Sequence, residues 1–320
     1  MSAAPPPGIP LPPDAAAGTG PGSSAPPGRP GVLAVRLGRH LLGPAAGAVL
    51  AFLAAACVVW PLVSPWKADE IGAGPPLQAP GWPHVFGTGE LGEDVFTQVM
   101  AGGRTSLLVG VAAALAATIL GTGLGVLAGY VGGWADVAVT RLVDLFLTAP
   151  PLAVLIALAA VVDRLSVGLI VLVIAALSWM QTARLVRAEV LALREREFVL
   201  AARALGASGW RIVRRHILPN VASVVAVSAT LLVALAIITE STLSFLGLGL
   251  PAENPSWGNL LDDARDNVLA GEWWLVLFPG LAIVLTVLCV SVVGDALRDA
   301  LDPRSRSGRP RRLRAVRRRG

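Results

Sequence analysis

Residues 196–220 read REFVLAARALGASGWRIVRRHILPN, a charged stretch set between two long apolar runs. Phe198, Ala201, Ala202 and Leu205 recur at i, i+3, i+4 and i+7, one face of a helix, with Glu195, Glu197 and Arg203 on the others. Gly206, followed by Ala207, ends that helix as a C-cap glycine would. Ser208 can cap a second short helix with Trp210, Val213 and Ile217 as its apolar stripe, opposed by Arg211, Arg214 and Arg215, and Leu218-Pro219 stops it. A charge costs about 2.5 to 3.5 kcal/mol at the centre of an inserted helix, so residues 184–220, with eight arginines, stay out of a bilayer. Such a pair of helices can lie on lipid headgroups or dock on another protein. Ala201, Ala202 and Ala204 favour docking, because they offer little area for insertion and permit close approach.

The whole chain is apolar enough to set that loop in a membrane protein. Its 320 residues are 54% hydrophobic, with a mean hydropathy of +0.68. A transmembrane helix needs about 20 apolar residues, and six segments approach that length: 41–63, 106–130, 142–162, 165–183, 221–239 and 274–294. The third and fourth, parted only by Asp163 and Arg164, form a tight hairpin. Arginines gather before the first span, between the fourth and fifth, and after the last, with Arg141 between the second and third. The alternate side carries Lys67, Arg104, Arg164 and Arg265 among many acids. The positive-inside bias therefore puts both termini and the 184–220 loop in the cytoplasm. Trp60, Trp66, Trp82, Trp257, Trp273 and Trp274 cluster near the outer span ends, as an aromatic belt would.

Several features narrow the function. Lys67 is the only lysine, and Ser64-Pro65-Trp66-Lys67-Ala68 is not the Gly-Lys-Ser/Thr turn of a P-loop. Energy for any transport must come from a partner or an ion gradient. Cys57 and Cys289 sit in apolar runs as packing residues. His40, His84 and His216 are far apart, so no metal site is expected, and no grouping of nucleophile, base and orienting residue marks a catalytic site. Gly121, Gly125, Gly129 and Gly133 recur every fourth residue, a small-xxx-small series for close helix packing. Pro150-Pro151 should kink the third span, which suits either a pathway-lining helix or simple kinked packing. Arg141 and Asp144, three apart, can pair. Glu240, at the outer end of the fifth span, is a pathway or gating candidate; snorkelling or a hydrogen bond ordering the outer loop accounts for it equally well.

At this point the chain resembles a known family. Ala201-Ala202, Gly206 and Leu218-Pro219 match the spacing of the "EAA" motif of inner-membrane permease subunits of binding-protein-dependent ABC importers, the dipeptide/oligopeptide/nickel group. Leu200 stands where that motif has glutamate. The likeness runs from about residue 84 to 303, through HVFGTGELGEDVFTQVMAGGRTSLLVG (84–110), GYVGGWADVAVTRLVDLFLTAPPL (129–152), ESTLSFLGLGLP (240–251), PSWGNLL (255–261), FPGLAIVLTVL and GDALRDALDPR. The resemblance implies an all-α, polytopic fold of six transmembrane helices, the ABC type I importer permease fold, in a prokaryotic plasma (inner) membrane. It implies that Phe198, Ala201, Ala202, Arg203, Leu205, Gly206, Ala207, Ile217, Leu218 and Pro219 form a coupling helix region on an ATPase. The partners implied are a second permease, two ABC ATPase subunits that hold ATP and Mg, and an extracytoplasmic solute-binding protein. No cofactor is expected on this chain itself.

The expected organisation is a disordered Pro/Gly/Ala-rich cytoplasmic tail (1–31), a first span with an outer loop (32–105), a permease core of five spans (106–302) with the coupling loop at 184–220, and an Arg-rich tail (303–320). That last tail suits an anchor on anionic membrane lipids rather than nucleic acid. Residues 252–272 either face the binding protein or form a solvated acidic loop. Peptides are the solute class by resemblance, with nickel and other solutes open. An ion-driven secondary transporter and a non-transporting membrane scaffold are the rival readings.

Overall fold

The computed structural model describes residues 30–148, 150, 153, 154, 156, 157, 166–251 and 254–301. Their regular structure is helical: α1 (Pro30–Val63), α2 (Val95–Val131), α3 (Gly133–Leu147), α4 (Val167–Arg194), α5 (Glu197–Ala204), α6 (Gly209–Ile212), a π turn (Val213–Ile217), α7 (Leu218–Phe245), α8 (Trp257–Asp263), a 3-10 turn (Val268–Ala270) and α9 (Trp274–Leu301). Among the described residues five helical runs are long and apolar enough to cross a bilayer: Leu42–Val63, Val95–Val131, Val167–Arg194, Gly209–Phe245 and Trp274–Leu301. The span expected at 142–162 begins in α3, but Pro151 and most of its remainder lie outside the described residues, as do 1–29 and 302–320 of the two tails.

Helix α2 begins eleven residues before the expected span because Asp94 caps it. The Asp94 carboxylate accepts from the Thr97 backbone N–H at 2.9 Å and the Thr97 hydroxyl at 2.7 Å. At 37 residues the helix is about 55 Å long, so its first turns project beyond a hydrocarbon core of about 30 Å. Around them packs a second layer formed by the 64–94 loop, α8 and the start of α9. Val95, Val99 and Met100 are buried there with Trp257 and Trp274, and Phe86 stacks on Phe278 at 3.8 Å. Trp257 and Trp274 are therefore core residues, not belt residues. Their indole N–H groups donate to the Val99 carbonyl at 2.8 Å and the Thr88 carbonyl at 3.2 Å, which is what burial of a tryptophan requires.

The spans are organised by the crossing of α2 and α4. A Cβ on Gly121 would stand 2.5 Å from the Trp179 carbonyl oxygen, one on Gly125 2.7 Å from that of Ala183, and one on Gly129 2.9 Å from that of Arg187. Only glycine permits this approach of backbone to backbone. Gly133 departs from the expected series: α2 has ended at Gly132, Gly133 opens α3 with φ +56°, and a Cβ there would meet open space. Beside that contact, the Thr182 and Ser228 hydroxyls meet at 3.0 Å and join α4 to α7.

Gly123, on the same helix, has open space around its Cβ position. Gly125→Ala should therefore destabilise the purified chain by roughly 1–3 kcal/mol through overpacking, whereas Gly123→Ala should be neutral or slightly stabilising. Thermal midpoints of the two variants in the same detergent check this.

Candidate functional site

The 196–220 stretch folds as two short helices laid against the ends of the spans. Glu197–Ala204 closes through Gly206, whose φ of +79° belongs to the left-handed region. The Gly206 N–H donates to the Arg203 carbonyl and the Ala207 N–H to the Ala202 carbonyl, both at 3.0 Å. This is a Schellman closure, and it turns the chain sharply into α6. Ser208 occupies the N-cap position of α6, but its side chain makes no capping bond.

The faces of these helices differ from the expected stripes. Val199 is buried and Ala202 half-buried, while Phe198, Ala201, Arg203 and Leu205 are exposed, Leu205 at 89%. In the second segment Ile212, Val213 and Ile217 are buried, and Trp210 points outward with 71% of its surface exposed. Val199, Ile212, Val213 and Ile217 pack with Val126 of α2, Val186, Val190 and Leu193 of α4, and Val221 of α7. Trp210 does not share their stripe because the π turn at Val213–Ile217 rotates the register. That turn also corrects the role expected of Pro219. It does not stop the helix: α6, the π turn and α7 run on from Gly209 to Phe245, with Pro219 at the second position of α7. The Leu218 N–H reaches back five residues to the Val213 carbonyl. This wider turn makes room for a proline ring and for its missing donor. Leu218 is half-buried and Ala207 likewise, so the segment as a whole is seated on the spans and presents Phe198, Leu205 and Trp210 outward.

Two arginines fasten the neighbouring span ends. Arg187 of α4 makes a bidentate pair with Asp136 of α3, the Nη2 to Oδ2 bond being 2.7 Å, and Arg194 donates to the Gly129 carbonyl at 3.2 Å. The pair expected between Arg141 and Asp144 is not among the ion pairs of the described residues; Asp136 and Arg187, on facing helices, make the contact at this end.

Residues 121–307, more than half of the chain, match the family described as the binding-protein-dependent transport system inner membrane component. The chain belongs to this family. A protein of Brucella suis biovar 1 (strain 1330), described as a candidate peptide permease, is 45% identical over 251 residues, 78% of this chain and 83% of that one. The dipeptide transport system permease protein DppC of Bacillus subtilis (strain 168) is 40% identical over 271 residues, covering 85% and 84%. The oligopeptide transport system permease protein OppC of Mycobacterium tuberculosis (strain CDC 1551 / Oshkosh) is 39% identical over 271 residues, covering 84% and 92%.

The other candidate residues of this inner-membrane component fall elsewhere. Pro150 is exposed, and Pro151 lies outside the described residues. Glu240 does not snorkel: it is 0% exposed and bonded to serine hydroxyls at the end of the spans opposite the loop. At that same end a cavity of about 320 Å³ opens between the 64–94 loop, α2, α8 and α9, lined by Glu90, Glu93, Gln98 and Asp263 among others. Burial, then the neighbouring Asp262, Glu90 and Glu93, push the Asp263 carboxyl above the usual carboxylate range. Among the described residues no group of His, Cys, Asp and Glu is placed to hold a metal ion.

Asp136 is held below the usual carboxylate range, first by the hydrogen bond from Arg187. A depressed carboxylate stabilises the fold above the unfolded value and loses that contribution as pH falls through the folded one. The penalty of Asp136→Asn on the thermal midpoint should accordingly be small, equal at pH 7 and pH 6, and gone once the pH drops well below about 3.9. A pH series of melts on both proteins measures it.

Proposed function

We propose that this chain is one permease subunit of an ATP-driven, binding-protein-dependent importer of di- or oligopeptides. A second, similar permease completes the pathway, two ABC ATPase subunits supply ATP hydrolysis with Mg, and an extracytoplasmic solute-binding protein delivers the solute. The observation that carries the reading is the outward apolar face of Phe198, Leu205 and Trp210 on a loop seated firmly on three spans. Large exposed apolar groups on a rigid base fit a groove on another protein. Peptides are the proposed cargo because the named relatives from Bacillus and Mycobacterium are dipeptide and oligopeptide permeases.

In this reading six spans cross a prokaryotic plasma membrane, the sixth being the one that begins in α3. Both termini are cytoplasmic, since the arginine-rich loops lie on that side. The ATPases close and open on ATP, and the 197–219 segment passes that motion to α4 and α7, shifting the spans between inward-facing and outward-facing states. The chain contributes no nucleotide site, its single lysine being Lys67.

The test is uptake of radiolabelled di- and tripeptides by proteoliposomes holding the whole complex. Wild-type vesicles should accumulate peptide only with ATP inside and binding protein outside. Leu205→Arg should cut uptake at least about tenfold, the equivalent of roughly 1.4 kcal/mol of docking, with the chain still folded. Undiminished uptake in Leu205→Arg would contradict the docking role. Accumulation that survives ATP removal would instead identify an ion-driven transporter, and none under any condition a scaffold.

A further inference from the structure

One buried acid has no part in the mechanism above. Glu240 is wholly buried near the outer end of α7, and among the described residues no ion pair neutralises it. Its Oε2 accepts from the Ser106 hydroxyl of α2 at 3.0 Å and, more loosely, from Ser241 at 3.4 Å; its Oε1 accepts from Ser244 at 2.9 Å. The Ser106 hydroxyl donates to this carboxyl group, so its proton is committed there. Ser106 Oγ is left as an acceptor and takes the backbone N–H of Trp257, the first residue of α8, at 3.2 Å. Beside it, Ser256 and Ser244 hydroxyls stand 3.3 Å apart. The carboxylate thus orients a relay that joins α2, α7 and α8.

We propose that Glu240 is a positioning residue that, through Ser106 and Ser244, locks α8 to α2 and α7, so that the outer surface and the coupling segment move as one body. The helical run Gly209–Phe245 is continuous, carrying Trp210 of the coupling face at one end and Glu240 at the other. Packing alone already holds α8: Trp257 is 0% exposed, and a Cβ on Gly258 would stand 2.7 Å from the Ser241 carbonyl oxygen. A buried hydrogen-bonded group adds little to stability over an apolar residue of the same shape, so what Glu240 supplies is a single permitted position. A polar network of this kind is stable only when complete, hence α8 is either engaged or released. This rests on the importer reading, with α8 on the face where the binding protein sits.

The experiment compares basal ATP hydrolysis with hydrolysis stimulated by loaded binding protein, in the intact reconstituted complex. Couplings between sites commonly span about 5- to 150-fold. Glu240→Ala and Ser106→Ala should keep basal hydrolysis and lose stimulation by at least about fivefold, with faster amide exchange over residues 256–263. Glu240→Gln, whose amide oxygen still accepts from Ser106, should retain stimulation; a merely structural role would not separate stimulated from basal hydrolysis. Should Glu240→Ala fail to assemble, Ser106→Ala carries the comparison. Stimulation and exchange unchanged in Ser106→Ala would overturn the lock while leaving the importer intact. A wild-type complex that binding protein does not stimulate, and that takes up no peptide, would overturn both.

Discussion

The approach of α2 to α4 is the constraint on which the rest of the structure depends. Within lipid there is no hydrophobic gain from pressing two apolar helices together, so close contact and backbone approach must hold them. Gly121, Gly125 and Gly129 permit that approach by opening α2 to the carbonyls of Trp179, Ala183 and Arg187. The same crossing delivers Val186, Val190 and Leu193 to the floor under Val199, Ile212 and Ile217. It also brings Arg194 within reach of the Gly129 carbonyl. The seat of the exposed loop face therefore depends on the contact glycines of α2, with Gly129 lying directly beside that floor.

From that floor a single helical run carries the chain through the bilayer. Its π turn accepts Pro219 without a break and turns Trp210 outward, so one local irregularity meets two needs. At the far end the run enters a different environment, a folded layer of aromatic residues built on the projecting start of α2 and closed by buried tryptophans whose N–H groups are all satisfied. The two ends differ in chemistry: an apolar, outward-facing surface on the loop, and an inward-facing network of hydroxyls around one carboxylate. Motion applied at one end of a stiff helix is felt at the other only if that other end is held; there packing holds α8, and the serine network fixes its position.

Much of this is legible in local sequence, and the features that are not share a cause. Five of the span positions, the two short loop helices, the Gly206 terminus and three of the four contact glycines follow from periodicity and residue chemistry within a few turns. Asp94 with Thr97 is also a local signal, an N-cap that extends α2 past its hydrophobic limit. Trp257 and Trp274 look like belt residues until their partners, the carbonyls of Val99 and Thr88 more than 150 positions away, are known. Glu240 is similar, since Ser106 is separated from it by 134 residues. In the loop, Phe198-Val199-Leu200 supports two overlapping stripes, and only the floor supplied by α2 and α4 selects Val199 as the buried one. Trp210 faces outward because the buried stripe of Ile212, Val213 and Ile217 runs through a π turn, where an α-helical period does not hold. Arg141 and Asp144 satisfy the local spacing rule, yet Asp136 and Arg187, 51 residues apart, make the pair.

The most direct measurement is co-purification. The chain, tagged at its C-terminus and solubilised gently from its native membrane, is isolated and its companions identified by mass spectrometry. A second permease and one or two P-loop ATPases should come with it in stoichiometric amounts. A chain that purifies alone, under conditions in which a known importer complex stays whole, would contradict the claim that the 196–220 loop is a docking surface.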